Sequence, residues 1–246
     1  MEFLKKIIGV LLICIAVVIT GIVLGRSYLS KGKPDPKIKV TGAGEESFDS
    51  DLIVWNASFS RNDYELKSAY ASLNQDLTAL KAYLKNKGVG EKDIIIEAAI
   101  IEKQYSNDYD EQGKLISSNF KGYNITQNVK VQSKNVDLIE QVSRQVSELI
   151  NTGIELNSKA PEYYYTKMQE LKLKMIEKAT RDARKRAEKI AENGGGNLGV
   201  LKQADMGVFQ ITAENSSEDY AWGGSYNTSS RRKTAHITIR LEYEID

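Results

Sequence analysis

Cysteine, histidine and proline are nearly missing from this chain, which holds one, one and three of them in 246 residues. The only cysteine, Cys14, lies inside an apolar N-terminal run, so the rest of the sequence has no thiol nucleophile, no disulfide and no cysteine-based metal site. His236 is the only imidazole, which excludes two-histidine zinc sites and a Cys-His dyad; a serine triad would have to recruit that one ring. An excess of charge is lacking too. Lys and Arg number 34 against 33 Asp and Glu, so no global field draws in a polyanion and no nucleic acid partner is expected. What remains, 41% apolar and 27% charged, is ordinary globular composition.

One uncharged stretch stands apart. Ile7 to Gly25 reads IIGVLLICIAVVITGIVLG between Lys5-Lys6 and Arg26. As a helix it is about 28 Å long, close to the hydrocarbon thickness of a bilayer. The reading is a transmembrane anchor over 7–25 after a short cytoplasmic N-terminus, 1–6. The competing reading is a signal peptide, although Gly25-Arg26-Ser27 makes a poor cleavage site. Lys5 and Lys6 face Arg26, Lys31, Lys33 and Lys37 across the run, so the positive-inside count alone leans against an exported domain. Residues 26–37, with Pro34 and Pro36, read as an extended tether.

Beyond the tether the period alternates between two and three-to-four. Ile38–Gly44 and Leu52–Ser60 predict a hairpin, and Tyr64–Lys87 an amphipathic helix stopped by Gly88. Ile94–Tyr105 and Tyr123–Val131 predict strands around a polar loop at 106–118. A shorter helix from Val136 to Ile150 ends at Gly153, and Ile154–Ser158 follows as a strand. The longest helix, Thr166–Glu192, turns Met168, Leu171, Met175, Ala179, Ala183, Ala187 and Ile190 inward, its alanines suited to a closely approaching sheet. Leu198–Ile211 predicts a strand, 214–233 a polar loop, and Ile237 to Ile245 a strand of nearly perfect alternation. The sum is an α+β fold: a mainly antiparallel sheet packed by amphipathic helices, in repeated strand-helix-strand units, preceded by one N-terminal transmembrane helix.

No stretch carries catalytic spacing. His236 shares its parity with Thr238, Arg240 and Glu242, opposite the apolar set, and reads as a solvated strand histidine. Gly42 and Gly44 lack a third glycine and a following helix, so a bulge or close packing is expected rather than a phosphate loop. Asp108, Asp110, Gln112 and Gly113 imitate a calcium loop, but Asn119 stands where its glutamate should be, which favours a hairpin turn. The run from Arg181 to Lys189 is broken by Asp182 and Glu188 and reads as the solvated face of a packed helix. No cofactor and no metal are expected. Tyr163, Tyr164 and Tyr165, together with Tyr220, Trp222 and Tyr226 amid Gly, Ser and Asn, have the composition of an interaction surface, although a mobile loop without a partner fits them equally.

The order of elements and several short runs resemble the SIMPL-domain family, a bacterial envelope family whose molecular function is largely undefined. The residues that carry the resemblance are Val40-Thr41-Gly42-Ala43-Gly44-Glu45, Leu84 to Gly88 followed by Asp93, and Gly122-Tyr123 ahead of Asn128-Val129-Lys130-Val131. Asp182-Ala183-Arg184, Arg186-Ala187-Glu188, Leu198-Gly199 and the closing strand complete it. The resemblance covers residues 38–246 and implies export to the periplasm or outside, an N-terminus in the cytoplasm and a tendency to form homo-oligomers. It supplies no catalytic residues. The relatives usually begin with a cleavable signal, so the anchor marks either a membrane-bound subgroup or a signal. The expected function is noncatalytic, through self-association and contacts with an envelope protein partner in envelope or oxidative stress tolerance, at the inner membrane. The alternatives are a small-molecule or peptide binding module with the Tyr220–Tyr226 loop as lid, and last a carboxylate-dependent hydrolase.

Overall fold

A computed structural model describes residues 2–31 and 37–245. The uncharged run lies in helix α1 (Glu2–Lys31). Among the described residues no helix is long and apolar enough to cross a membrane, so the span expected at 7–25 finds no support in the fold itself. The tether prolines Pro34 and Pro36 lie outside the described residues. Two compact units make up the chain: Met1–Gly42 with Arg181–Asp205 and Ile239–Asp246, and Ala43–Thr180 with Met206–Thr238.

Strands β1 (Lys37–Asp49) and β2 (Leu52–Asp63) are followed by helix α2 (Leu66–Asn86), β3 (Ile94–Ile96), β4 (Ile100–Tyr109) and β5 (Leu115–Ser133). Helix α3 (Val136–Gln145) runs into a 3-10 turn, after which come β6 (Leu156–Ser158), β7 (Glu162–Tyr164), helix α4 (Met168–Asn193), β8 (Leu198–Met206), β9 (Gln210–Ala213), β10 (Ser225–Tyr226) and β11 (Arg232–Ile245). The α+β class is as expected, but the strands build two sheets instead of one. The first has the order β1-β11-β9-β10 with β8 also on β11; the second has the order β3-β5-β2-β6 with β4 on β5 and β7 on β2. All pairings resolved residue by residue are antiparallel except β9 with β10, which is parallel.

The predicted hairpin of β1 with β2 does not form, because the corner between them is held by other segments. Ser50 N donates to Arg231 O at 2.9 Å and Asp51 N to Tyr164 O at 3.0 Å. The Asp51 carboxylate accepts from Thr166 N and Oγ1, both at 2.6 Å. The chain therefore changes sheet at Ser50-Asp51.

In the second unit, Ile53, Trp55, Ala57 and Phe59 of β2 bury one face against Leu73, Leu80 and Leu84 of α2 and Ile139 and Val142 of α3. An ion pair sits at the margin of this core: Arg61 donates to both oxygens of Asp76, at 2.5 and 2.9 Å, and to Gly153 O at 2.8 Å. Helix α4 packs on the face of β1 at Gly44, backbone to backbone. A Cβ on Gly44 would stand 2.5 Å from Met175 O and 3.1 Å from Ala179 N, so the glycine is there for close packing. Ala183, Ala187 and Ala191 continue that buried stripe in the first unit, whereas Ile190, predicted inward, is exposed. The charged face is laced along its length by Arg186–Asp182, Arg184–Glu188 and Lys189–Glu192 pairs.

The polar stretch at 106–118 is mostly strand. Its turn is confined to residues 110–114, where Asp110 Oδ1 accepts from the Gln112 and Lys114 amides and Gly113 has φ +77. Cross-strand bonds from Ser117 to Asp108 (2.6 Å) and Ser118 to Asn107 (2.7 Å) extend the ladder without apolar alternation. Past the last β2 pairing, Asp63 with Tyr123, β5 keeps only β4 as a neighbour among the described residues and the two strands continue as an arm from Gln104–Gly122 to Tyr109–Leu115. Gly122 marks the departure, with φ +115 and a Cβ position 2.5 Å from Asp63 O.

Gly44→Ala is expected to cost about 2 kcal/mol through overlap alone, and Gly122→Ala more, since strain adds to overlap. Thermal melts of the full chain should show Tm losses of roughly 4–8 °C and a larger value, respectively.

Candidate functional site

The start of β11 points a lysine inward. Lys233 shares its parity with Ala235 and Ile237 and is 0% exposed, two residues before the buried apolar set begins. Its ammonium donates to Ser50 Oγ at 2.7 Å and to Tyr163 O at 2.6 Å, and lies 5.7 Å from the centre of the Tyr226 ring. No carboxylate among the described residues is within ion-pair distance of it. Burial pushes the Lys233 amine down to about 8, despite two acceptors that favour its charged form.

Four of the six aromatic residues singled out in the sequence gather here. Tyr163 on β7 donates its hydroxyl to Glu140 at 2.7 Å, and burial first, then that bond, raises it to about 12. Arg231 Nη1 braces the same region through Asp137 (2.5 Å) and Glu140 (3.5 Å). The Tyr164 and Tyr226 rings are 6.4 Å apart, and Tyr164 is raised by its hydroxyl bond to Glu162 and by burial. Tyr165 packs 4.7 Å from Phe48, and its amide donates to Tyr226 Oη at 3.3 Å. The other two lie apart. Tyr220 stacks on His236 at 5.4 Å and 20°, so the histidine is half-buried instead of solvated. Trp222 is fully exposed.

The loop that carries these rings is pinned. The Gln210 side chain accepts from Ala221 N and donates to Ala221 O, and Glu218 accepts from Ala213 N and Asn227 Nδ2. Gly224, at φ +91, brings the backbone so close that a Cβ would stand 2.7 Å from Phe209 O. On this side lies a groove of about 490 Å³ walled by Met168, Met206, Val208 and Phe209, with Lys172, Ser225 and Tyr226 on its lining. Sequence reasoning missed Lys172, Ser225 and Lys233. Only Lys233 had a signal, its inward parity on the last strand.

A lysine near pKa 8 can serve as nucleophile or base when substrate reaches it, but a fully enclosed ammonium bonded to two fixed acceptors acts as a tie. Carboxylates are shifted the other way from a general acid: Lys174 and Lys178 hold Glu46 below the usual range, and Lys37 and Lys39 do the same for Glu242. Among the described residues no group of three or more metal-capable side chains converges.

The class is thus a two-sheet α+β domain organised on a buried lysine and a tyrosine-rich loop. Residues 38–241 match the family described as SIMPL, protein of unknown function (DUF541), and the chain belongs to that family. No curated protein matches it.

Because Lys233 is depressed in the fold, the unfolded chain binds more protons above pH 8, and stability rises with pH there. Denaturation of the full chain should gain roughly 1–2 kcal/mol between pH 8 and 9.5. The gain should vanish in Lys233→Met. Above pH 10 the sign reverses through Tyr163, which holds its proton longer when folded.

Proposed function

We propose that this protein is a noncatalytic, membrane-anchored envelope protein that works by self-association and contacts with an envelope protein partner, in tolerance of envelope or oxidative stress. The uncharged run Ile7–Gly25 supplies the single span in the inner membrane, residues 1–6 stay in the cytoplasm, 26–37 form the tether, and the SIMPL domain stands in the periplasm or outside.

The observation that carries the reading is the β4–β5 arm. Tyr105, Tyr109, Leu115, Ile116 and Phe120 are exposed on a two-stranded ribbon, with Ile100 and Ile101 exposed at its base. Among the described residues the outer edge of β4 pairs with nothing. A long edge with apolar side chains is a template for pairing with another strand, and an isolated ribbon of two strands gains stability from a third. A second copy offers the same edge, so an isologous contact closes. Tyr64, Tyr105 and Tyr123 surround Phe120 with ring centres 5.2–6.2 Å away, which stiffens the base of the arm for docking. Tyr220 and Trp222, and separately the cluster of Tyr163, Tyr164, Tyr165 and Tyr226, supply the contacts for the partner.

The full chain in lipid nanodiscs should show a defined oligomer by native mass spectrometry. Ile101→Glu with Ile116→Glu, both at exposed positions, should return it to monomer without lowering Tm. A wild-type chain that stays monomeric at high micromolar concentration sinks the proposal.

A further inference from the structure

The groove beside the loop differs from the rest of the surface in three ways. Its walls are apolar and adaptable, two of them methionines. Its cation, Lys172, rests over the Phe209 ring at 5.5 Å and has no carboxylate partner among the described residues, while no acidic residue lines the groove. Ser225 Oγ is the one buried side-chain oxygen or nitrogen among the described residues with no hydrogen-bond partner. The Ser225 oxygen is closed to solvent, and a rotation about its Cα–Cβ bond toward an acceptor in the groove would recover the free energy that a buried hydroxyl without a partner costs.

We propose that this groove binds an acyl carboxylate, its chain along Met168, Met206, Val208 and Phe209 and its carboxylate between the Lys172 ammonium and the Ser225 hydroxyl. An apolar wall with one cation and one hydroxyl fits an apolar body with a single anionic end. A peptide finds fewer backbone partners, because two of the lining amides are taken: Gly207 N by Thr238 O at 2.9 Å and Gly224 N by Ala221 O at 3.0 Å. The proposal does not depend on self-association.

The chain has four methionines, which makes ε-methyl labelling a direct readout. Full chain with carbon-13 methionine methyls, held in nanodiscs, is titrated with octanoate. The Met168 and Met206 signals should shift saturably, while Met175, 0% exposed and outside the groove, stays in place. Lys172→Gln, a change at a half-buried side chain that breaks no ion pair among the described residues, should leave the chain folded and weaken octanoate about tenfold, the worth of one charge-assisted bond. Octanol and octyltrimethylammonium should bind the wild type more weakly than octanoate; Lys172→Gln should leave octanol unchanged and favour octyltrimethylammonium, which the lysine repels. The proposal is overturned if all methionine signals drift together, as simple partition into lipid would give, or if no saturable shift appears. It is overturned equally if octanol matches octanoate, if Lys172→Gln binds octanoate as the wild type does, or if N-acetyl-trileucine displaces octanoate at lower concentration.

Discussion

The Lys233 ammonium is the constraint around which the second unit is arranged. An ammonium removed from water must donate to fixed acceptors, and the two it finds belong to distant parts of the chain, the β1–β2 corner at Ser50 and the β7 carbonyl of Tyr163. Meeting that demand holds β7, the corner and the start of β11 together. Tyr226 closes the remaining side with its ring, and its hydroxyl accepts from the Tyr165 amide. The same tyrosine lines the groove, so the enclosed lysine and the open cavity share one side chain.

On α4 and beside β1, exposed charge is paired. The outer face of α4 pairs Arg and Lys with acids one turn away, and Glu46 binds Lys174 and Lys178. Such faces are content in water and offer little to a partner. The β4–β5 arm is the reverse, with isoleucines and aromatic rings in solvent on strands that have few neighbours. Lys172 is the reverse in a second sense, a cation set against apolar walls without an anion among the described residues.

Helices α2 and α4 and the last strand were legible in the sequence because each has one water-facing and one core-facing side, and the period of the apolar residues reports it directly. The close packing at Gly44 was also legible, since a glycine in a strand and alanines at helical spacing are two halves of one contact. The arm was not. Asn107, Asp108, Ser117 and Ser118 build a ladder from polar cross-strand bonds, and residues of that kind ordinarily signal a loop. The hairpin of β1 and β2 was predicted from adjacency and alternation, which say nothing of the corner bonds from Arg231, Tyr164 and Thr166. Of the aromatic group, Tyr163 to Tyr165 and Tyr226 converge, whereas Tyr220 turns to His236 and Trp222 to solvent, a division that composition does not encode.

By itself the sequence determined the α+β class, the helical faces, the scarcity of thiol and imidazole chemistry and the family, because these follow from local period, short runs and residue counts. The tertiary structure alone decided which strands share a sheet, where the arm leaves the body, that a lysine in a polar stretch is enclosed, and that a lysine, a lone serine hydroxyl and two methionines from separate segments line one groove. Those facts depend on contacts between residues tens to nearly two hundred positions apart, and no local pattern records which of the possible contacts satisfies every buried donor at once.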